Sequence, residues 1–462
     1  MNSNPLDIYC MAIGGTGMAP LACLLQEQGH RVRGTDGPLY PPMSTLLERA
    51  GIRPQVGYDA AHLDPRPDLV IVGNAIHRNN PEAVEAERLG LQVLSMPQAL
   101  ARFFLSRHRP LVVAGTHGKT TTTAMAAWVY TACGKDPGYL IGGAPHNLPA
   151  SFHDGEGERF VIEGDEYNAA YFDRGPKFLH YLPDTLILTS VEYDHADLYP
   201  SPEVLWDAYS KLLRLLPESG LLVACGDDPK VRELAAAARC RVLFYGLDPS
   251  NELHPEEIEA LPEGSRFRID GVEVLLPMAG AHNVSNCLGV WAAARHDGIP
   301  AADVAAALAR FQGVKRRLEE LGTARGITVV DDFAHHPTAV DKTLAGLRQR
   351  YPDRRLVVLF EPRSLTAGRV FFHEPYRDAF SRADRVLFAP IFHEGRLSPE
   401  ERLDFHTLAG ELTAAGVPAE VSTDTAGLLR TALEESREGD VLITMSSGSF
   451  DGMPYRLYEG LR

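Results

Sequence analysis

Short apolar runs alternate along this chain with stretches whose apolar positions recur at helical spacing. Residues 8–13 precede 18–28, residues 69–72 precede 81–89, and residues 111–114 precede 120–130. This alternation predicts β-α units on a parallel sheet. It resumes at residues 327–330, 356–360, 385–389 and 441–445, where Val, Ile and Leu occupy both strand faces, as burial under two helical layers demands. The expected class is therefore α/β. A length of 462 residues exceeds one core and suggests three domains. The polar stretch 106–110 and the basic stretch 315–317, followed by 321–323, are the candidate boundaries, giving segments 1–108, 109–316 and 317–462.

Composition narrows the partners. With 61 acidic against 45 basic residues, a net charge of −16 excludes nucleic acid or an anionic membrane as the main partner, so any phosphate is held locally. The six cysteines (Cys10, Cys23, Cys133, Cys225, Cys240, Cys287) are scattered without a C-x-x-C pair, which fits reduced thiols in a cytosol. No apolar run reaches the roughly 18 to 20 residues of a membrane span, and the N-terminus lacks a basic segment before its apolar stretch, which reads as a first strand.

The strongest chemical signal is Ala114-Gly115-Thr116-His117-Gly118-Lys119-Thr120-Thr121, in which an apolar strand passes through a glycine turn into a helix. Such a loop cradles a nucleoside triphosphate: glycines turn amides toward phosphate oxygens, and the helix start adds partial positive charge. Lys119 then reaches the terminal phosphates and Thr120 offers a hydroxyl to Mg²⁺. Val113 occupies the place of the consensus leading glycine, so the loop is a shortened variant.

Carboxylates follow two further strands. Glu163, in Glu163-Gly164-Asp165-Glu166 after residues 160–162, is expected to hold the metal that phosphoryl transfer needs. The run 185–191 leads into Glu192-Tyr193-Asp194-His195-Ala196-Asp197, offering His195 to a second ion. Near the start, Gly14-Gly15-Thr16-Gly17-Met18 opens a helix, with Asp36 about 20 residues beyond. Pro20 replaces the third glycine of a dinucleotide fingerprint, which favours a nucleotide-sugar diphosphate over NAD. In the last third, Asp331-Asp332-Phe333-Ala334-His335-His336 follows a strand as a site wall. A metal is unattractive there, because adjacent histidines diverge and no third ligand is evident. Arg363 is placed to grip a substrate carboxylate.

These motifs resemble the Mur ligases, over essentially the whole chain. The phosphate loop is similar to that family's own form, and Gly280-Ala281-His282-Asn283-Val284-Ser285-Asn286 to its adenine-side motif. The resemblance implies a Rossmann-like N-terminal domain, a central P-loop ATPase-type domain and a Rossmann-like C-terminal domain. It implies ATP bound by Gly115 through Thr121 with Asn283, Asn286, Arg317 and Asp331, and two Mg²⁺ ions, one on Thr120 and Glu163 and one on Glu163 and His195. Lys119, Glu163, His195 and Arg317 are then the catalytic set, Arg317 reaching the transferring phosphate. The UDP-sugar falls to Gly14, Gly15, Thr16, Gly17, Met18, Asp36, Asn74 and Ala75, and the amine substrate to His335, His336 and Arg363. The implied reaction phosphorylates a carboxylate, admits an amine and releases ADP and phosphate, with domain closure upon ATP.

Residues 332–338 resemble the branch acting directly on UDP-N-acetylmuramate. Residues 40–45, 73–76, 163–168, 171–173 and 177–181 are similar to its recycling members, which join UDP-N-acetylmuramate to the tripeptide L-Ala-γ-D-Glu-meso-diaminopimelate. Gly164 stands where alanine is expected, residues 14–17 look closer to the alanine-adding enzyme, and residues 445–452 keep only an outline of the recycling terminus. Lys211 lies where some relatives carry a carbamylated lysine, but its surroundings match members without one. The expected protein is a cytoplasmic bacterial ligase, monomeric or weakly dimeric, with small-molecule substrates. Its alternatives are L-alanine as acceptor, an NAD-dependent oxidoreductase built on residues 14–17, or a nucleotide-gated binding module.

Overall fold

A computed structural model describes residues 4–462. Among these, three α/β sheets follow one another along the chain. The first orders its parallel strands Gln55–Val56, Arg31–Asp36, Asp7–Met11, Leu69–Val72 and Val93–Ser95. Its strand order reverses between Asp7–Met11 and Leu69–Val72, and the crevice beyond such a switch point is where open α/β sheets take ligands. The glycine turn before the helix Met18–Glu27 and the turn 73–76 both emerge there.

The central sheet runs Arg241–Tyr245, Leu221–Cys225, Thr185–Leu188, Arg109–Ala114, Arg159–Gly164, Gly138–Leu140 and Phe152–His153, antiparallel only at the last pair. Ala114 lies level with Leu188 on one neighbour and Gly164 on the other, so three consecutive strands discharge their loops at one edge. The third sheet orders Glu319–Ala324, Ile327–Asp332, Val441–Met445, Leu356–Phe360, Arg385–Phe388 and Ala419–Val421, with only the first strand antiparallel.

The parallel strands lie where the apolar runs predict them, because a strand covered on both faces must be apolar throughout. Differences arise where polar chemistry intervenes. The run expected over 185–191 is strand only to Leu188, since Thr189 turns its hydroxyl to the His117 carbonyl at 2.6 Å. Glu163 lies inside its strand rather than just past it. Residues 321–323 of the second candidate boundary belong to the edge strand Glu319–Ala324, and residues 109–110 of the first open the strand Arg109–Ala114. A three-stranded antiparallel sheet, Glu256–Leu261, Gly264–Ile269 and Val272–Leu276, was not expected, its first strand being almost wholly exposed.

One apolar core runs without interruption from Ile8 through Phe104 to Phe160 and Leu234, joining the first sheet to one face of the central sheet. The third sheet keeps two cores of its own, drawn entirely from residues after 315. Between the central and third sheets the backbone adopts left-handed φ at Gly313 (82°), Arg316 (60°) and Leu318 (53°), a conformation that costs a non-glycine residue about 1 kcal/mol or more.

Candidate active site

The phosphate loop joins the strand Arg109–Ala114 to the helix Lys119–Ala132, whose start carries no side-chain cap and so leaves its first amides to a ligand. Two glycines are obligatory. Gly115 (φ 132°) has no room for a Cβ against the Thr189 hydroxyl, and at Gly118 (φ 80°) a Cβ would lie 2.6 Å from the Asn286 side-chain oxygen. Asn286 thus lies against the loop, while Asn283 donates to the Ala279 carbonyl at 2.8 Å. A hollow of about 660 Å³, lined by Gly226, Asp227, Arg232 and Asp248, opens nearby, where Cys225 Sγ lies 3.9 Å from Ser285 Oγ.

Lys119 Nζ meets both carboxylate oxygens of Glu166, at 2.9 and 3.0 Å, and the Gly115 carbonyl at 2.6 Å. His195 Nε2 lies 3.0 Å from Glu166 Oε1, and its Nδ1 is 2.9 Å from the Tyr167 hydroxyl. Thr120 Oγ1 lies 3.0 and 3.1 Å from the two oxygens of Glu163, which also accepts from the Gly142 amide at 3.1 Å. From the third sheet's side Arg317 donates to Thr120 Oγ1 at 3.4 Å, its guanidinium stacked on Phe333 at 4.7 Å. Lys119, Thr120, Glu163, His195 and Arg317 therefore converge. His195 itself is held at φ 55°, a strain that persists only where its surroundings over-determine it.

Electrostatics follow from that convergence. Burial works against charge on Lys119, yet Glu166 and Glu163 outweigh it and hold the ammonium above its ordinary value. Burial raises Glu163, and Lys119 and Arg317 only partly offset this, leaving a carboxylate that calls for more positive charge. Burial would raise Glu166 too, but Lys119 and His195 bring it well below the usual range. His195 is raised despite burial, through Glu166 and Asp194.

The Thr120 hydroxyl and Glu163 carboxylate form a hard-oxygen pair suited to Mg²⁺. His195 contacts Glu166, not Glu163, so a carboxylate to which no role had been given joins His195 to Lys119. Three acids within four residues after a buried strand were the available signal for it. Lys211 pairs with Asp207 at 2.7 Å on an exposed helix face.

His335 and His336 do diverge, toward Asp194 (3.9 Å) and Glu192 (3.6 Å). The structure nonetheless supplies the partners not evident in the sequence: His117, Glu192 and His336 offer ligand atoms within 4.8 Å of one another. That trio is partly engaged already, although His336 Nε2 is buried with no hydrogen-bond partner among the described residues. His336 Nδ1 accepts from the Thr338 amide at 3.3 Å as the cap of the helix Pro337–Arg350, and Glu192 accepts from the Thr338 hydroxyl at 2.6 Å. His117, expected to face ATP, thus turns its ring toward Glu192 and His336. Thr121 is buried in the helix. Asp331 accepts from Thr444 at 3.1 Å and pairs with Arg316 at 3.3 Å, and burial still pushes it up to about 6. Arg363 stacks on Phe392 at 4.0 Å beside Glu361.

In the first sheet Asp36 accepts from the Gly14 and Gly37 amides, both at 2.7 Å, which fixes the glycine turn. Gly73 packs under it against Met11 and Met18, leaving Asn74 and Ala75 exposed at the same sheet edge.

The chain matches the Mur ligase family catalytic domain over residues 7–108, the Mur ligase middle domain over 113–294, and the Mur ligase glutamate ligase domain over 316–448. It is 39% identical to the UDP-N-acetylmuramate–L-alanyl-γ-D-glutamyl-meso-2,6-diaminoheptandioate ligase of Escherichia coli K12, across 99% of this chain and 98% of that protein. It is 34% identical to the UDP-N-acetylmuramate–L-alanine ligase of Variovorax paradoxus, across 98% and 94%. A crystal structure of a murein peptide ligase from Psychrobacter arcticus superposes with a TM-score of 0.73 at 33% identity, covering 99% of this chain and 98% of that one. The UDP-N-acetylmuramate–alanine ligase of Thermotoga maritima gives 0.80 at 25% identity, covering 98% of both. Residues 14–17 accordingly belong to a ligase domain and not to an oxidoreductase. The chain is a member of the Mur ligase family, enzymes that form an amide bond at the expense of ATP.

Proposed function

We propose that this enzyme joins the lactyl carboxylate of UDP-N-acetylmuramate to the amino group of L-Ala-γ-D-Glu-meso-diaminopimelate, in the recycling of cell-wall peptide. The convergence of Lys119, Thr120, Glu163, His195 and Arg317 at one sheet edge carries the chemistry of this reading. In this reading residues 1–108 hold the UDP-sugar at the Gly14–Gly17 turn, with Asp36, Asn74 and Ala75; residues 109–316 hold ATP; and residues 317–462 complete the nucleotide and amine sites. Asn283 and Asn286 face the adenosine side, and Asp331 contacts the nucleotide from the third unit.

Lys119 and the amides at the helix start bind the triphosphate, Lys119 exchanging part of its pairing with Glu166 for phosphate oxygens. Arg317 meets the charge that grows on the transferring phosphoryl group. The muramyl carboxylate oxygen takes that phosphoryl group, releasing ADP. The acceptor amine then attacks the acyl carbon, phosphate departs with the bonding electrons, and the amine proton passes to water. Thr120 and Glu163 would hold one Mg²⁺, and Glu163 with His195, now paired to Glu166, a second, supplying positive charge against the phosphates. His335, His336 and Arg363 line the amine side, where Arg363 suits an acceptor carboxylate. We further read the enzyme as cytoplasmic, acting as a monomer or weak dimer; among the described residues no helix is long and apolar enough to cross a membrane.

Two relatives named for the tripeptide substrate, at 39% and 36% identity, support this acceptor over L-alanine. The higher TM-score of 0.80 to an alanine ligase favours the second reading, de novo synthesis with L-alanine as acceptor. Purified enzyme given ATP, UDP-N-acetylmuramate and a mixture of tripeptide and alanine decides it. The tripeptide adduct is the expected product by mass, and a larger kcat/KM for alanine would reverse the assignment.

A further inference from the structure

Residues 189–196, which follow the strand Thr185–Leu188, touch the phosphate loop on one side and the third unit on the other. On the loop side the Glu192 amide donates to Thr116 Oγ1 at 2.8 Å, that hydroxyl lies 3.0 Å from the Glu192 carbonyl, and His117 Nε2 lies 3.3 Å from Glu192 Oε2. On the other side the same Oε2 accepts from Thr338 Oγ1 at 2.6 Å, beside His336 Nδ1 at 3.6 Å. Neighbours repeat the pattern. Tyr193 packs on Phe371 with ring centroids 6.1 Å apart, Asp194 lies 3.9 Å from His335, and the Ala196 amide donates to Thr366 Oγ1 at 3.2 Å.

Glu192 has no hydrogen bond or ion pair with Lys119, Thr120 or Glu163, so it is placed to act through other residues. We propose that Glu192 is a positioning residue: one carboxylate oxygen, shared by His117 of the phosphate loop and Thr338 of the third unit, sets the register of the third unit on the nucleotide loop. His335 and Arg317 then arrive together with it. Its carboxylate stays ionised throughout, because His117 and Thr338 outweigh the cost of burial and hold it down at about 2. The inference rests on the nucleotide reading of the loop given above.

The test uses the full chain with Glu192→Ala, Glu192→Gln, Thr338→Val and the double variant Glu192→Ala/Thr338→Val. Folding is checked by thermal unfolding, and binding of a non-hydrolysable ATP analogue by calorimetry. Each of Glu192→Ala and Thr338→Val is expected to lower kcat about tenfold while analogue affinity changes by less than about twofold. The double variant is expected to be no worse than either single one, because both remove the same contact. Glu192→Gln, whose amide oxygen still accepts, is expected to recover part of the loss. An unchanged kcat in folded Thr338→Val, effects that multiply in the double variant, or analogue affinity falling in step with kcat would each overturn the proposal. Wild-type enzyme that fails to bind the analogue at all would instead overturn the nucleotide reading.

Discussion

Two junctions divide this molecule, and they are built from opposite materials. Between the first and central sheets one apolar core is continuous, with Phe104 buried near Phe160 at a centroid distance of 6.4 Å. Between the central and third sheets the contacts are mostly hydrogen bonds. Gln349 accepts from the Gly280 amide and donates to the Leu261 and Gly264 carbonyls, Thr338 reaches Glu192, and Arg317 reaches Thr120. Separating the first junction exposes apolar surface at about 25 cal/mol per Å². Parting the second exchanges protein hydrogen bonds for hydrogen bonds to water, at a net cost of about 1 kcal/mol each. The first and central units are thus joined by apolar burial, whereas the third is joined to them by polar contacts that cost less to part.

The largest expected effect separates the functions of the first and central units. Lys119→Ala should abolish turnover, by about 10³-fold or more, while calorimetry shows UDP-N-acetylmuramate still binding at the first sheet. Loss of both in a folded variant would contradict the division. Phe104→Ala should cost about 3 to 4 kcal/mol of stability and lower the unfolding of the first and central units together, seen as one displaced calorimetric transition. Gln349→Ala should leave the thermal midpoint nearly unchanged but increase the radius of gyration of the ATP-analogue complex in solution scattering, reflecting a closed state weakened by about 1 to 2 kcal/mol.

The smallest effect is one of pH. Burial and the neighbouring His117 push His336 down to about 3, so the folded state keeps it neutral while the unfolded chain takes up a proton below its usual 6.5. This contribution to stability is therefore full above about 6.5 and declines as pH falls toward the folded value. His336→Asn, which retains a helix-capping side chain, should flatten the loss of stability between pH 7 and 5.5 by about 1 kcal/mol. Parallel melting curves for the two proteins would argue against it.

What the sequence reveals of these junctions follows the same contrast. The strands Leu69–Val72, Leu356–Phe360 and Val441–Met445 match their apolar runs to the residue, because burial on both faces leaves a continuous signature. The phosphate loop is equally legible, since Gly115 and Gly118 are dictated locally by positive φ and close approach. Glu192 and Thr338 are not, being 146 positions apart and joined by a hydroxyl that each segment alone would direct to solvent. Glu166 has the same difficulty, as one partner, Lys119, opens a helix and the other, His195, lies on a distant loop. The exposed strand Glu256–Leu261 has no apolar face to announce it.

Arg317 lies between two residues with left-handed backbone, Arg316 and Leu318, inside the bend that links the central unit to the third. A ligase that activates a carboxyl group with ATP must avoid spending nucleotide on water when the other reactants are missing. On the proposed reading of Arg317, carrying this cation on the bend couples its place beside Thr120 to the seating of the third unit, so that a displaced third unit would withdraw it from the nucleotide loop.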